Sequence, residues 1–223
     1  MTHEQHNARL ISITPDAEGQ IVYMARVSNP NNQNNMETAP RLIKYLIKHK
    51  HWSPFEMASM QVEINTTRAI AAQVLRHRSF SFQEFSQRYS SVGDLPPIGL
   101  PHLRTQDLKN KQASHDDLDE EVKRHLEIEI DRLYKSSQDR YNYALSKGVA
   151  KECARSILPL GTPTRMYMSG TIRSFIHYVE VRAGIETQLE HRLIARDIKR
   201  IFTEQLPTVA EALEWTNGET TES

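Results

Sequence analysis

The longest regular pattern in the sequence lies between Asp117 and Lys147, and it limits the folds that the chain can adopt. Apolar residues recur there at the three- to four-residue spacing of one helical face, at Leu118, Val122, Leu126, Ile130 and Leu133. Gly148 follows, and glycine commonly ends helices. At ~1.5 Å per residue this helix would be roughly 45 Å long. It is long for a domain of this size, and we expect it to offer a surface for oligomer contacts.

Shorter patterns on both sides predict a mixture of strands and helices. Met60, Val62 and Ile64 alternate with polar residues, which indicates a half-buried strand. Two further strands are expected, at residues 10–14 and 164–169. Helical spacing predicts additional helices at residues 17–26, 42–47, 67–75, 150–158, 172–179 and 189–202.

The order of these elements predicts the fold class. We expect Thr67 to cap the helix that follows it, with an inner face formed by Ile70, Ala71, Val74 and Leu75. Strands and helices do not alternate regularly along the chain, so the sequence favours the α+β class over a doubly wound sheet. We expect one domain over residues 1–223, with mixed helices, a mainly antiparallel sheet, the one long helix, and flexible tails at residues 1–7 and 216–223.

The charge balance indicates a small anionic ligand and argues against a nucleic-acid partner. Twenty-eight basic and twenty-eight acidic residues give a formal net charge of zero. A general nucleic-acid binder carries a basic excess, because its affinity comes from neutralising many phosphates. No apolar run approaches the roughly 18 residues that span a bilayer, and the polar N-terminus lacks a signal peptide. We therefore expect a cytoplasmic protein without a membrane partner, in the host cytoplasm if its source is a virus.

The positive charge is concentrated between Arg76 and Ser90. Three arginines, one histidine and four serines lie there, interleaved with four aromatic residues, Phe80, Phe82, Phe85 and Tyr89. Guanidinium groups bind phosphate through paired, charge-assisted hydrogen bonds, and aromatic walls exclude water. The segment predicts a nucleotide site. The alternative is structural, because basic residues also interact favourably with the C-terminus of a helix and phenylalanines usually pack in cores.

Other residues with reactive or metal-binding side chains support alternative functions, but less strongly than the segment 76–90 supports a nucleotide site. The single cysteine, Cys153, lies on a predicted helix and is expected to be a buried apolar residue instead of a nucleophile. His49, His51 and Glu56 are metal-ligand types, with His102 and His115 further along, but they match no usual zinc spacing. We expect no metal site. The non-enzyme alternatives are a nucleic-acid-binding module, in which aromatic residues stack bases, and a helical structural protein.

The segment from Arg76 resembles the signature of the flavin-dependent thymidylate synthases, RHRxxSxNxxSxRY, which here reads RHRSFSFQEFSQRY. Seven positions match, and Gln83 departs from the asparagine of the family, so its amide reaches further. Upstream, HKHWSPFE at residues 49–56 resembles the H-x-H-x-[ST]-P-F-E segment of that family. The resemblance extends from about Leu10 to Trp215, with further similar segments at residues 152–159 and 173–188.

The resemblance implies a reaction, cofactors and an assembly. Members methylate dUMP to dTMP with methylenetetrahydrofolate as one-carbon donor, while FAD carries hydride from a nicotinamide cofactor, expected here to be NADPH. They form homotetramers whose active sites are shared between subunits. By resemblance, the nucleotide contacts are Gln73, Val74, Leu75, Arg76, Glu84, Phe85, Ser86, Gln87, Arg88, Arg155 and Arg182. The flavin contacts are Ser53, Arg76, His77, Arg78, Glu84, Thr171, Ile172, Arg173 and His177, where Thr171 and His177 replace expected asparagines.

The catalytic expectation follows from the poor nucleophilicity of carbon 5 of uracil. By resemblance Arg182 lies near the pyrimidine, where a guanidinium can stabilise negative charge on the ring. The alternative for Arg182 is a surface ion pair with Glu186 at helical spacing. A serine nucleophile needs an adjacent base, and the sequence identifies none for Ser86. We expect Ser86 to donate a hydrogen bond to the phosphate.

Overall fold

The computed structural model describes residues 5–216, and its frame is an antiparallel sheet. The strands are β1 (Asn7–Ile13), β2 (Ser59–Thr67), β3 (Ser81–Glu84), β4 (Thr105–Gln106), β5 (Ser114–His115) and β6 (Pro163–Thr171). Four of them form one sheet in the order β1-β2-β6-β3, and β4 and β5 form a separate pair. Every pairing is antiparallel, as predicted. β3 was not predicted, because its four residues are too few to show a period.

One face of the sheet forms the core. Met60, Val62 and Ile64 on β2 are fully buried, as their alternation predicts, and Met166 and Met168 on β6 are buried beside them. Alternate residues of a strand point to the same face, so these five side chains make a continuous apolar surface. This surface is what the helices cover.

The helices lie around this sheet and agree with most of the predicted patterns. They are α1 (Ala17–Ala25), α2 (Ala39–Lys48), α3 (Arg68–Val74), α4 (Glu120–Ser146), α5 (Lys151–Ala154), α6 (Ile172–Arg182), α7 (Leu189–Gln205) and α8 (Pro207–Ala212). Both α6 and α7 contribute buried residues to the main core, among them Phe175, Val179, Ile194, Ile198 and Phe202. No helix within the described part of the chain is long and apolar enough to cross a membrane.

Helix α4 has 27 residues and leaves most of its apolar face uncovered. The Asp119 carboxylate caps its first turn by accepting from two backbone amides. Gly148 follows its end with φ 81°, a left-handed conformation that costs glycine little. Val122, Leu126 and Leu133 are 47%, 40% and 63% exposed. Residues 5–216 therefore do not cover this side of the helix.

Two details of the helix before the signature segment were predicted incorrectly. Thr67 does lie at the start of α3, but its side chain makes no capping hydrogen bond. Leu75, expected on the inner face, is 39% exposed because α3 ends at Val74 and the chain turns away from the core.

The N-terminal tail is shorter than predicted. His6 is 4% exposed, and its Nδ1 atom lies 2.8 Å from the hydroxyl of Thr66. Asn7 already belongs to β1. The tail predicted for residues 1–7 is therefore wrong for its last two positions. Residues 1–4 and most of the predicted C-terminal tail lie outside the described residues.

Gly170 tests how tightly the sheet packs beneath the candidate site. A Cβ atom at Gly170 would overlap the ring of Phe80, which is 9% exposed. We expect Gly170→Ala to lower the free energy of unfolding by about 1–3 kcal/mol, the usual effect of overpacking, in urea denaturation. Gly93→Ala is the matched control, because its nearest neighbour would lie at an ordinary 3.6 Å. Equal stabilities of the two variants would contradict this packing.

Candidate functional site

Two cavities are built from the same two segments, residues 73–79 and helix α6. The first, here called the arginine cavity, has a volume of about 730 Å³ and is lined by Gln73, Arg76, Arg78, Gln112, Arg182, Glu186, Thr187 and Gln188. The second, the Trp52 cavity, has a volume of about 440 Å³ and is lined by Trp52, Glu56, Ser79, Arg173, Ser174, Ile176, His177 and Glu180. One helix therefore contributes to both.

The arginine cavity carries an excess of positive charge. Three guanidinium groups face it, those of Arg76, Arg78 and Arg182, against the single carboxylate of Glu186. Among residues 5–216, none of the three arginines has a carboxylate within ion-pair distance. Guanidinium groups without an internal counter-ion, collected in one concave site, favour an anionic ligand.

Arg182 is held by a histidine of the signature segment. Its Nε atom donates to Nε2 of His77 at 2.9 Å. A histidine nitrogen accepts a hydrogen bond only when it carries no proton, and the surroundings of His77 keep its Nε2 atom unprotonated. Burial, then the positive charge of Arg182, lower the pKa of His77 to about 4. The ion pair of Arg182 with Glu186, considered from the sequence, does not form in the described structure.

A second histidine, His191, lies behind this pair. Its side chain is fully buried on α7. Its Nε2 atom lies 3.0 Å from the hydroxyl of Tyr178, and its Nδ1 atom lies 3.3 Å from Oε1 of Gln73. Burial first, and then the charge of Arg182, lower the pKa of His191 to about 3. This histidine is therefore neutral at physiological pH.

Neither His191 nor Tyr178 was predicted from the sequence as a site residue. A signal for His191 exists in the sequence, because it is a polar residue three positions before Ile194 on the apolar face of a predicted helix. Tyr178 lies among the apolar residues of α6 and gave no such signal. Its ring is fully buried and lies edge-on to that of His77, with 4.9 Å between the centroids.

Two of the predicted flavin contacts, Arg173 and His177, line the Trp52 cavity. Arg173 pairs with Glu56 at 2.5 Å, and His177 is exposed at the same wall. Ser53 begins the 3-10 turn that directly follows Trp52. Thr171 does not line this cavity, because its hydroxyl caps α6 by accepting from the amide of Ser174 at 3.2 Å.

The remaining predicted nucleotide contacts lie apart from the arginine cavity. Glu84 accepts hydrogen bonds from Arg68 and, at 2.8 Å, from Thr164. The amide of Phe85 donates to a β6 carbonyl at 2.8 Å. Arg88 pairs with Glu152 on α5 at 3.1 Å, and both side chains are more than half exposed. Ser86 and Arg155 are also exposed, and neither lines the arginine cavity. The structure thus divides the predicted nucleotide contacts into two groups.

Comparison with known proteins identifies the family. A family model described as thymidylate synthase complementing protein matches residues 9–208. A probable flavin-dependent thymidylate synthase of Paramecium bursaria Chlorella virus 1 is 54% identical over 217 residues, which cover 94% of this chain and 99% of that protein. The flavin-dependent thymidylate synthase of a Synechocystis strain is 52% identical over 198 residues, covering 89% and 90%. This chain belongs to the flavin-dependent thymidylate synthase family. The resemblance of the signature segment is confirmed, and the chain is an enzyme of that family.

A solved structure shares the fold of this family member. The crystal structure of a UMP/dUMP methylase, PolB from Streptomyces cacaoi, bound with 5-Br dUMP, superposes with a TM-score of 0.80. The match covers 94% of this chain and 95% of that one, at 23% sequence identity. A likeness of this extent confirms a single mixed α and β domain built on an antiparallel sheet.

Burial limits how two of the predicted contacts can act, and the prediction for Cys153 needs correction. The side chains of Val74 and Ile172 are fully buried in the core, and the amide of Ile172 already donates to Ala58, so these side chains cannot touch a ligand. Cys153 is exposed, and the prediction that it is buried was wrong, because its neighbour Ala154 faces inward instead. It lines neither cavity.

The structure also shows the surroundings of the two signature-segment glutamines and of the histidines considered as metal ligands. Gln87 is 7% exposed, and its Nε2 atom is buried without a hydrogen-bond partner in the described structure. Gln83, the departure from the family signature, lies exposed on β3 opposite Tyr167. Within residues 5–216 no three histidine, cysteine or acidic side chains are grouped as a metal site requires. The rings of His49 and His51 instead contact Tyr45.

The buried neutral state of His191 predicts how stability depends on pH. The unfolded chain takes up a proton at this histidine below about pH 6.5, whereas the folded protein does so only near its lowered pKa of about 3. In this range the unfolded chain therefore binds one more proton than the folded protein. Because of this, the free energy of unfolding falls as pH falls below about 6.5. Between pH 7 and pH 5, we expect the free energy of unfolding to fall by on the order of 1–2 kcal/mol less in His191→Asn than in the wild type.

The measurement is urea denaturation at each pH. The matched control is His125→Asn, because His125 is exposed on α4. We expect this control to follow the wild-type profile. If removing His191 leaves the slope between pH 7 and pH 5 unchanged, its buried neutral state does not contribute to acid sensitivity.

Proposed function

We propose that this chain catalyses the reductive methylation of dUMP to dTMP. In this proposal methylenetetrahydrofolate donates the one-carbon unit, and FAD carries hydride from NADPH. The observation that carries it is the arginine cavity, in which Arg182 is anchored by a neutral His77. The names of relatives above half identity and the 5-Br dUMP bound by PolB support the same substrate class.

The nucleotide site is proposed to combine the two groups of residues. Gln73, Arg76 and Arg182 contribute from the arginine cavity of one subunit. The turn that contains Ser86 and Arg88, with Arg155, contributes from another subunit of a homotetramer. This arrangement is supported by the separation of the two groups within one chain. The uncovered apolar face of α4 supports burial against a second subunit.

The residues of the Trp52 cavity fit FAD. Trp52 offers an aromatic wall, and Ser79, Ser174 and His177 offer side-chain donors beside it. Arg173 supplies a guanidinium, although a bound phosphate would compete with Glu56 for it. Arg76, His77 and Arg78 lie on the segment shared by both cavities, and Glu84 is the remaining family contact. When bound, the flavin supplies the hydride for the reduction of the transferred carbon.

Arg182 is proposed to activate the pyrimidine without a covalent nucleophile. A guanidinium whose charge cannot be lost stabilises negative charge that develops on the ring, and it does so most effectively where water is excluded. The hydrogen bond to His77 fixes the direction of the Arg182 side chain before substrate binds. Cys153, the only cysteine of the sequence, lines neither cavity of its own chain, and the proposal gives it no role.

The decisive experiment is a flavin-binding titration. The purified protein is incubated with FAD, freed from excess cofactor, and examined by visible absorption before and after addition of dUMP. We expect a retained flavin spectrum that shifts with dUMP, and dTMP formation when NADPH and methylenetetrahydrofolate are added. UMP serves as a second nucleotide, because the structural relative PolB is described as acting on both. A protein that neither retains FAD nor responds to dUMP is not a thymidylate synthase.

Arg182 and Ser86 are expected to affect different kinetic constants. Arg182→Lys keeps the charge but loses the planar Nε donor to His77, and we expect kcat to fall about 100-fold with FAD retained. Ser86→Ala is expected to raise KM for dUMP about tenfold while turnover remains measurable. Arg200→Lys, in a surface pair with Glu204, is the control and should change neither constant. Complete loss of turnover in Ser86→Ala, with flavin still bound, would contradict a binding role alone and would favour the nucleophile hypothesis for Ser86.

A further inference from the structure

A continuous chain of hydrogen bonds runs from the core to the arginine cavity. It links the Tyr178 hydroxyl to His191 at 3.0 Å, His191 to Gln73 at 3.3 Å, and Gln73 to Gln188 at 2.6 Å. Gln188 then reaches Glu190 at 2.9 Å. Gln73 and Gln188 are the two members that also line the cavity. The chain therefore connects a buried histidine to the wall of the proposed nucleotide site.

The Glu190 end of this series of hydrogen bonds determines which group donates in each of them. The Glu190 carboxylate is 7% exposed and accepts two hydrogen bonds from Arg104, at 2.9 and 3.0 Å. An ionised carboxylate can only accept, so the Nε2 group of Gln188 donates to it. The Oε1 atom of Gln188 is then left to accept from the Nε2 group of Gln73. This places Oε1 of Gln73 against His191.

The end at His191 and Tyr178 requires the same assignment of donors and acceptors. Because Oε1 of Gln73 can only accept, the Nδ1 atom of His191 must carry the proton and donate. The Nε2 atom of His191 then accepts from the Tyr178 hydroxyl, whose pKa is raised by burial, so that it keeps its proton. With its pKa lowered to about 3, His191 holds this single tautomer through the physiological range. Both ends thus impose one orientation on the amide of Gln73.

We propose that His191 is a positioning residue that holds the amide of Gln73 with its NH₂ group toward the arginine cavity, so that the site offers the nucleotide a donor there. The inference rests on the proposed function, because it takes dUMP as the ligand of this cavity. One hydrogen of the NH₂ group is used by Gln188, and the second is available to an acceptor atom of the nucleotide, such as a carbonyl oxygen. Without His191, the carbonyl of Gln73 loses its donor and only Gln188 still holds the amide, so the NH₂ group is less firmly directed at the nucleotide.

Two amide substitutions separate this role from a structural one. In His191→Asn, the side-chain nitrogen occupies the position of Nδ1 and retains a donor to Gln73. In His191→Gln, the amide reaches the position of Nε2 and retains a partner for Tyr178 alone. We expect His191→Gln to raise KM for dUMP about five- to tenfold with kcat within about twofold, the effect of one misplaced hydrogen bond. We expect His191→Asn to restore KM to near the wild-type value.

The wild type is first shown to retain FAD, respond to dUMP and form dTMP, so a failure there concerns the proposed function and not His191. If His191→Asn and His191→Gln raise KM equally, the side chain acts by packing and the inference is overturned. A double-mutant cycle adds Gln73→Ala to each: we expect His191→Gln to have no further effect on KM in that background. If His191→Gln raises KM by the same factor in the Gln73→Ala background as in the wild type, His191 does not act through Gln73.

A third variant keeps the inference testable if substitution of the buried histidine prevents folding. Gln73→Met preserves the volume of the partly buried glutamine and removes its donor without adding charge. We expect it to raise KM for dUMP by about the same five- to tenfold, with flavin retention unchanged. Unchanged KM in Gln73→Met would mean that no donor is needed at this position, and it would overturn the inference.

Discussion

The positive charge of Arg182 is the constraint on which the rest of the site depends. A guanidinium stays protonated under all physiological conditions, so the groups packed around it must adapt to its charge. Both neighbouring histidines remain neutral, because burial first and then the charge of Arg182 lower the pKa of His77 to about 4 and the pKa of His191 to about 3. Neutrality lets His77 accept from Arg182 and lets His191 act as a donor and an acceptor at once. Burial and this fixed charge together keep both histidines neutral and so order their hydrogen bonds.

The sheet explains why two cavities lie on the same helix. β6 ends at Thr171, whose hydroxyl caps the first turn of α6. About two and a half turns of helix then separate Arg173, at the Trp52 cavity, from Arg182, at the arginine cavity. The packing of α6 on the core fixes this spacing, because Phe175 and Val179 are buried between these positions. A cofactor and a nucleotide bound in the two cavities would therefore be held by one rigid element, which favours reaction between them.

Much of this arrangement was predictable, and the exceptions have physical reasons. The strand at residues 60–64 and the helices showed clear periods, because one face of each meets the core. The signature residues were identified by resemblance, and Gln73, Arg76 and Arg182 do lie together. β3 was not predicted because its pairing with β6, and not its own pattern, makes it a strand. His191 was missed because its role depends on contacts with residues 13 and 118 positions away, which no local pattern reveals.

The separation of the two groups of nucleotide contacts has an electrostatic consequence. The arginine cavity of one chain is open, and charges in contact with solvent are screened within about 8–10 Å. Three arginines in such a site attract an anion but bind it weakly. In the shared-site proposal, the turn at Ser86 and Arg88 of another subunit covers the cavity, which adds donors and removes water at the same time. Each charge-assisted hydrogen bond is then stronger, because the effective dielectric constant is lower. Assembly would thus contribute to affinity and to catalysis through one physical effect, the exclusion of water from around Arg182.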